Sequence, residues 1–513
     1  MLPRTLRSAL LAYVLLAVFP VLLLASSDRN EPTFSESSVR GAPDPSQAGP
    51  ATPFEWTPRT IGAVVLACVC AVFANSAGIG GGPFYVPLFV VVLNFGMTTA
   101  TALSHTVVAT SAIASSVYGI WHRSPVDPTK PLVDFDIALT FIPALLLGVS
   151  FGVLFNTIIP DWLQTILLTL LLLVVIRNTS KKALRLWRAE QLVRAHKQSD
   201  DADEHVPAST SNAPSPVKDQ RTLRHMQSEE PDYLRASVSQ PTLSQGRCQH
   251  LVRTPSWHEH PEHNPALYAD GFRGFWARLP GWKVLGTLAL WVAFLALQLV
   301  KSRYPRCSPG FFASFVGQAV LCLGVTVFMI FYESRASSRR AQAADPEVNA
   351  ALLGNQNGER DTQYDWQSSP VKLAKVTAII AFAGLTAGML GIGGALIFNP
   401  FLLQLGVHAQ VTASTSVLMI LFSSSSISLS FAFNHLLNVH YAAVFAPLAF
   451  VSSFIGVTVV GRVVRKSGRT SIIVIILTAL ITAGTILTAV FGGLRAAEEI
   501  KRGEGSGFGK VCE

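Results

Sequence analysis

Charge is what this chain has least of. Of its 513 residues only 14% are Asp, Glu, Lys or Arg, against 50% that are hydrophobic, and the mean hydropathy is +0.40. A water-soluble domain carries about a quarter charged residues. The composition therefore excludes a soluble fold and predicts an all-α, polytopic membrane protein. The charges sit almost entirely in polar connections, so the net +9 reads as membrane orientation. Basic faces with interleaved aromatics are missing, which argues against a nucleic-acid partner.

Cysteine is sparse as well. Six are scattered at positions 68, 70, 248, 307, 322 and 512. The CxC of Cys68 and Cys70 lies in an apolar run and has no second pair to complete a zinc site. His258, His260 and His263 (HEHPEH) fall in a polar stretch without fixed geometry and read as solvated histidines, not metal ligands. HExxH, Gly-x-Ser-x-Gly and paired intramembrane aspartates are missing too. No enzyme activity, metal or cofactor is expected.

Long apolar runs are abundant. Crossing ~30 Å of hydrocarbon takes about 20 residues. Candidates are 61–95 with a glycine interruption, 98–120, 135–158, 162–177, 284–300, 312–332, 371–405 with a second interruption, 411–434, 441–461 and 471–491. Residues 1–26 carry Arg4 and Arg7, an apolar run from Ala9 to Leu24 and then Ala25-Ser26-Ser27. That is the pattern of a secretory signal peptide, with an uncleaved anchor as the alternative. Residues 27–59 follow as a lumenal or extracellular tail. The polar gap 178–281 opens with a basic amphipathic stretch. It then turns Ser-, Pro-, His- and acid-rich, a composition that buries no core and predicts a largely disordered loop. The gap 334–370 is similar, and 492–513 is a C-terminal tail.

One phrase occurs twice, about 310 residues apart: AGIGGGPFYVP, closing at Pro87, and LGIGGALIFNP, closing at Pro400. Each interrupts an apolar run. After each comes a hydroxyl-rich span, with nine Ser or Thr in the 23 residues 98–120 and ten in the 23 residues 411–433. Next come Pro143 with Gly152, then Pro447 with Gly456, at the same spacing. Three ordered matches make 60–177 and 371–491 homologous four-segment repeats, joined by a two-helix insert at 282–333.

Basic loops face the cytoplasm. If each broken run leaves and returns to one side, a chain starting outside places three basic loops inside: 177–197, 335–340 and 461–470. The repeats are then inverted. Lys301, Arg303 and Arg306 fall outside in this arrangement.

Paired glycine and proline breaks in two halves of a membrane chain point to a secondary transporter's substrate site. Broken backbone survives in hydrocarbon only where it lines a protein-walled cavity. Glycines expose amide N–H groups, and the helix after each break aims its positive end at the same spot. Gly80, Gly81 and Gly82, with Gly391, Gly393 and Gly394, therefore read as two facing nests for an anion; close helix packing is the competing explanation. Thr101 and Ser104, with Thr412, Thr415 and Ser416, lie on faces beside the breaks and offer hydroxyl donors, or alternatively join helices. His105 is the one ionisable group well inside such a span. It carries a coupling proton, adds positive charge, or is a neutral hydrogen-bonded histidine. Asp134 and Asp136 fix a helix end.

These motifs resemble the sulfite exporter TauE/SafE family, also called the 4-toluene sulfonate uptake permease family. The similarity is closest to eukaryotic, plant-type members. It rests on both glycine repeats, on Asp134 to Leu139 through Pro143 and Leu147 to Val153, on Asn156 to Trp162, and on Leu290 to Lys301. It implies a multi-pass membrane carrier of sulfite or an organosulfonate; the plasma membrane or endomembranes are the expected location, and protons, through His105, are the candidate coupling ion. The alternative is a membrane scaffold or receptor that recruits partners through its long loop.

Overall fold

The computed structural model describes residues 52–122, 124, 130–204, 281–305, 308–343, 370–405, 407–467 and 471–494. The expected signal segment, most of both polar gaps with His258, His260 and His263, and the C-terminal tail beyond Leu494 lie outside the described residues. Twelve α-helices follow in order among the described residues: α1 (Pro58–Ser76), α2 (Gly82–Val91), α3 (Met97–Trp121), α4 (Phe135–Ile158), α5 (Asp161–Glu204), α6 (Gly281–Ser302), α7 (Pro309–Ala343), α8 (Pro370–Leu390), α9 (Ala395–Gln404), α10 (Ala409–Phe433), α11 (Val439–Ser467) and α12 (Ser471–Leu487), which ends in a π-turn at Thr488–Gly492. Eight of them are long and apolar enough to cross a membrane.

Local sequence accounts for the ends. Thr57 accepts a hydrogen bond from the Thr60 amide and Pro58 opens α1, where its missing N–H costs nothing. The Asp134 carboxylate accepts from the amides of Asp136 and Ile137 at the start of α4. The long amphipathic stretch after Arg177 does not leave the helix at residue 178. α5 continues as one rod to Glu204, and only beyond it does the expected loop fall outside the described residues.

The repeats pack as matched partners. α4 lies on α8 and α11 lies on α1; α3 lies on α10; α3 also meets α11 as α10 meets α4; and α5 meets α12. The repeated Pro-x8-Gly phrase has its reason here. Gly152 of α4 sits against the Leu385 carbonyl of α8, and Gly456 of α11 sits against the Val72 carbonyl of α1. Val72 and Leu385 are separated as the two glycine breaks are, so one contact is made twice. Gly148 and Gly384 add further backbone-to-backbone approach along α4 and α8. Small residues that let backbones touch are how membrane helices associate, since lipid is as apolar as Leu.

Contacts also fix direction. His105 and Thr106 of α3 meet Ser424 and Ser428 of α10, while Gly119, farther along α3, meets Ser414, earlier in α10. These two helices run antiparallel. Leu145 and Gly152 of α4 meet Gly384 and Gly388 of α8 in rising order, so that pair is parallel. Thr52 and Val72 meet Asn438 and Gly456, which makes α1 parallel to α11. α3 is parallel to α11 as well, through Ser115 with Ser453 and Tyr118 with Gly461.

The insert breaks the symmetry. α6 and α7 pack on α4, whose span is 83% buried, whereas the matching α11 lacks that cover and is only 28% buried. Polar links fasten the insert to α10: Trp291 Nε1 donates to Ser425 Oγ at 3.2 Å, and Gln298 donates to Ser430 Oγ. Gln318 donates to Gln298 Oε1 at 2.7 Å and accepts from Lys301 Nζ at 3.4 Å.

Candidate functional site

The two breaks touch at the centre of the bundle. Gly80 lies against Val108 of α3 and Ile420 of α10, the twelfth residue of each 25-residue helix. α3 and α10 are buried along almost their whole length, which explains how helices so rich in hydroxyls stand in a membrane bundle. Other helices shield them from lipid.

Each break uses the same backbone solution. Gly78, Gly80 and Gly81 have φ of 75°, 80° and 82°, and Gly391, Gly393 and Gly394 have 77°, 78° and 67°. An L side chain in this region costs about 1–2 kcal/mol, so three glycines per break are a conformational requirement. Gly82 is different. It opens α2 in ordinary helical geometry, and a Cβ there would fall 2.7 Å from the Gly391 oxygen and the Ile392 carbonyl carbon. Its role is to let one break touch the other.

Hydrogen bonding at the breaks is incomplete. The amides of Gly78 and Ile79 donate to Asn75 and Ala74 carbonyls, and the Gly391 amide to Ala387. The buried N–H groups of Gly80, Gly81, Gly82, Ile392, Gly393 and Gly394 have no acceptor among the described residues. An unsatisfied buried donor costs about 1–3 kcal/mol, and most folded structures avoid nearly all of them. Six of them fall in two loops that touch each other.

Around them the hydroxyls divide. Ser104 Oγ donates to the Gly391 carbonyl at 3.1 Å, tying α3 to the second break. Thr101 Oγ1 lies 3.2 Å from where a Gly391 side chain would begin, and it is buried without a partner among the described residues. Ser416 Oγ is likewise buried and unpartnered. Thr412 Oγ1 donates to the Val407 carbonyl at the start of its own helix, and Thr415 Oγ1 accepts from the Asp134 amide at 2.9 Å. Both bonds serve the ends of helices, while Ala413 beside Thr412 packs on Gly78 of the first break.

His105 is fully enclosed. Its Nε2 is 2.9 Å from the Ala387 carbonyl and its Nδ1 is 3.2 Å from Ser424 Oγ. A carbonyl only accepts, so Nε2 carries the proton, and Ser424 completes the ring by donating to Nδ1. Both nitrogens are used within the α3–α8–α10 junction.

Two further side chains stand at the breaks, and neither belongs to the glycine or hydroxyl patterns. Asn399 of α9 donates from Nδ2 to the Gly78 carbonyl at 2.8 Å, and its Oδ1 is buried without a partner among the described residues. Tyr85 of α2 brings its unpartnered hydroxyl within 3.2 Å of the Cβ position of Gly81. Asn399 is inside the repeated phrase, but it matches Val86 in the first copy, so comparing the copies hides it.

Membrane-length helices around two apposed backbone breaks define an integral, multi-pass membrane protein. A family profile described as Sulfite exporter TauE/SafE matches residues 1–178 and 271–487. The chain belongs to the sulfite exporter TauE/SafE family. It is 28% identical over 462 residues to "Sulfite exporter TauE/SafE family protein 1" of Arabidopsis thaliana, covering 88% of each chain. To family proteins 2 and 3 of that plant it is 27% identical over 467 residues (89% and 88% covered) and 26% identical over 444 residues (86% and 80% covered). No solved structure is a significant match. The profile skips most of the long polar gap, including the distal part of α5, but runs through the shorter one.

Proposed function

We propose that the protein is a secondary carrier for a small anion, sulfite or an organosulfonate, which it binds between the two glycine breaks. The observation that carries this reading is the set of six buried, acceptorless N–H groups on two loops in contact. Such a set is expensive in an empty apolar core and well suited to an oxyanion. Thr101 and Ser416 add hydroxyl donors without the cost of burying a cation. The family supplies the sulfur: the curated relatives are named as sulfite exporter TauE/SafE family proteins.

Inverted repeats follow as part of the same reading. It is supported by the antiparallel order of α3 and α10, equivalent helices of the two repeats. With α1 and α3 both parallel to α11, α2 returns to the side that α1 entered from. The same argument with α4 and α8 sends α9 back to the opposite side. The basic ends of α5, α7 and α11 then share one face, which the positive-inside rule assigns to the cytoplasm. Rocking one repeat against the other around touching breaks gives alternating access. His105 acts in this scheme as a neutral joint between α3, α8 and α10.

The test is flux. Purified protein in sealed vesicles should move radiolabelled sulfite or a sulfonate down its gradient, faster than empty vesicles and saturably. If sulfite, sulfate and sulfonates all fail to move with or without a pH gradient, the anion reading is wrong.

A further inference from the structure

The donors at the breaks are all uncharged, and one group beside them can only accept. Lys and Arg do not occur anywhere on α2, α3, α9, α10 or α12. Arg59 of α1 and Lys372 and Lys375 of α8 lie in the opening turns of those helices, at the far end from the breaks. The remaining titratable groups on these elements are Cys68 and Cys70 of α1, Tyr85 of α2, and His105 and Tyr118 of α3. None supplies a fixed positive charge. His105 has both nitrogens engaged.

Asn399 breaks the pattern of donors. Its amide orientation is set by chemistry, because the Gly78 carbonyl can only accept and therefore takes Nδ2. That leaves Oδ1, on the same amide group, as a buried acceptor with no donor. An acceptor beside an anion nest repels a fully ionised oxygen and welcomes an O–H. Charge argues the same way. The desolvation cost of an ion rises with the square of its charge, so a dianion costs about four times as much as a monoanion in a site without cations.

We infer that the substrate is an oxyanion that keeps one proton, with its charged oxygens on the backbone N–H groups and its O–H donated to Asn399 Oδ1. Asn399 is then a specificity-determining residue, and the proton crosses the membrane on the anion instead of on a side chain. This rests on the reading of the breaks as an anion site.

Uptake of radiolabelled sulfite into vesicles, measured across the pH range of its second ionisation, separates the possibilities. At a fixed subsaturating total concentration, uptake should fall toward about tenfold per pH unit once the monoanion is the minor form, and the fall should persist in His105→Gln. Sulfate, a dianion throughout that range, should neither move nor compete. In Asn399→Val, which installs the residue of the first repeat, the preference for sulfite over sulfate should shrink at least tenfold. Should Asn399→Val lose all flux, the pH and sulfate results on the unaltered chain decide the question. Uptake that stays level or rises with pH, or sulfate carried as well as sulfite by the unaltered protein, overturns the inference while leaving the anion site standing. If sulfite, sulfate and methanesulfonate all fail to move at any pH, the anion site itself falls and this inference with it.

Discussion

Ser104 Oγ donates to the carbonyl oxygen of Gly391 at 3.1 Å, joining the first repeat's central helix to the second repeat's break. Ser416 holds the same place in α10, eighth from the helix start, yet its hydroxyl is buried without a partner. Equal positions have thus taken unequal jobs. Ser104→Ala should orphan a buried carbonyl and lower stability by about 1–3 kcal/mol, read as an earlier melt in detergent. Ser416→Ala removes no bond and should melt normally, while KM for the transported anion rises several-fold. A melting loss in Ser416→Ala with KM unchanged would make that hydroxyl structural.

The glycines of the breaks should also separate by duty. At Gly393 the Cβ position is open, with its nearest neighbours 3.9 Å and 4.0 Å away, so Gly393→Ala meets only the φ of 78°. We expect a cost of about 1–2 kcal/mol, an inserted protein, and strongly reduced flux because the methyl group enters the donor space. Gly82→Ala would instead bring a Cβ within 2.7 Å of the Gly391–Ile392 backbone and part the two breaks. It should lose flux and monodispersity in size-exclusion chromatography together. Gly62, with nothing within 4 Å, is the control: Gly62→Ala should change neither.

Much of this was legible in the chain. The repeated glycine phrase, the hydroxyl spans and the Pro-x8-Gly spacing lie in the sequence as they lie in the fold, because each is a local demand on backbone shape or helix contact. Gly152 and Gly456 show it: spacing alone revealed the repeat, and only the packing revealed that each touches a carbonyl of the other repeat's first helix. Pairings across the repeats were not legible. Thr412 and Thr415 read as site hydroxyls by face, and no spacing shows their bonds to the Val407 carbonyl and the Asp134 amide. Asn399 stayed invisible because it has no counterpart in the first repeat. The length of α5 was missed because a charged amphipathic run reads alike as solvated helix and as loop.

Asp134 offers a test outside the membrane spans. Burial first, and the neighbouring Asp136 second, hold its carboxyl above the ordinary carboxylate range, against the pull of the Ile137 and Asp136 amides and Lys130. The folded protein therefore keeps its proton to higher pH than the unfolded chain does. A stability penalty appears as pH rises through the carboxylate range and persists at neutral pH. Asn caps a helix as well as Asp. Asp134→Asn should melt later than the unaltered protein at neutral pH, and the gain should vanish as pH drops below the unfolded carboxylate range. An earlier melt at neutral pH would mean that the charge at the α4 N-terminus outweighs its burial.

His105 separates a proton carrier from a joint. Its Nε2–H meets the Ala387 carbonyl at 2.9 Å and its Nδ1 takes the Ser424 hydroxyl at 3.2 Å, so the neutral ring satisfies three helices at once. A second ring proton would turn the Ser424 hydroxyl from donor to acceptor and put a charge inside a bundle where an added charge is costly. Gln can donate to Ala387 and accept from Ser424 through one amide. His105→Gln should therefore keep flux within a few-fold and leave its pH profile unshifted. His105→Leu should leave the Ala387 carbonyl with the Gly391 amide alone and strip the buried Ser424 hydroxyl of its ring partner, at about 1–3 kcal/mol, and lower both melting temperature and flux. A residue that carries the coupling proton behaves otherwise: Gln would abolish the response to a pH gradient even in a protein that melts normally. Flux driven by an imposed pH gradient, compared between the unaltered chain and His105→Gln at matched vesicle content, reads the difference directly.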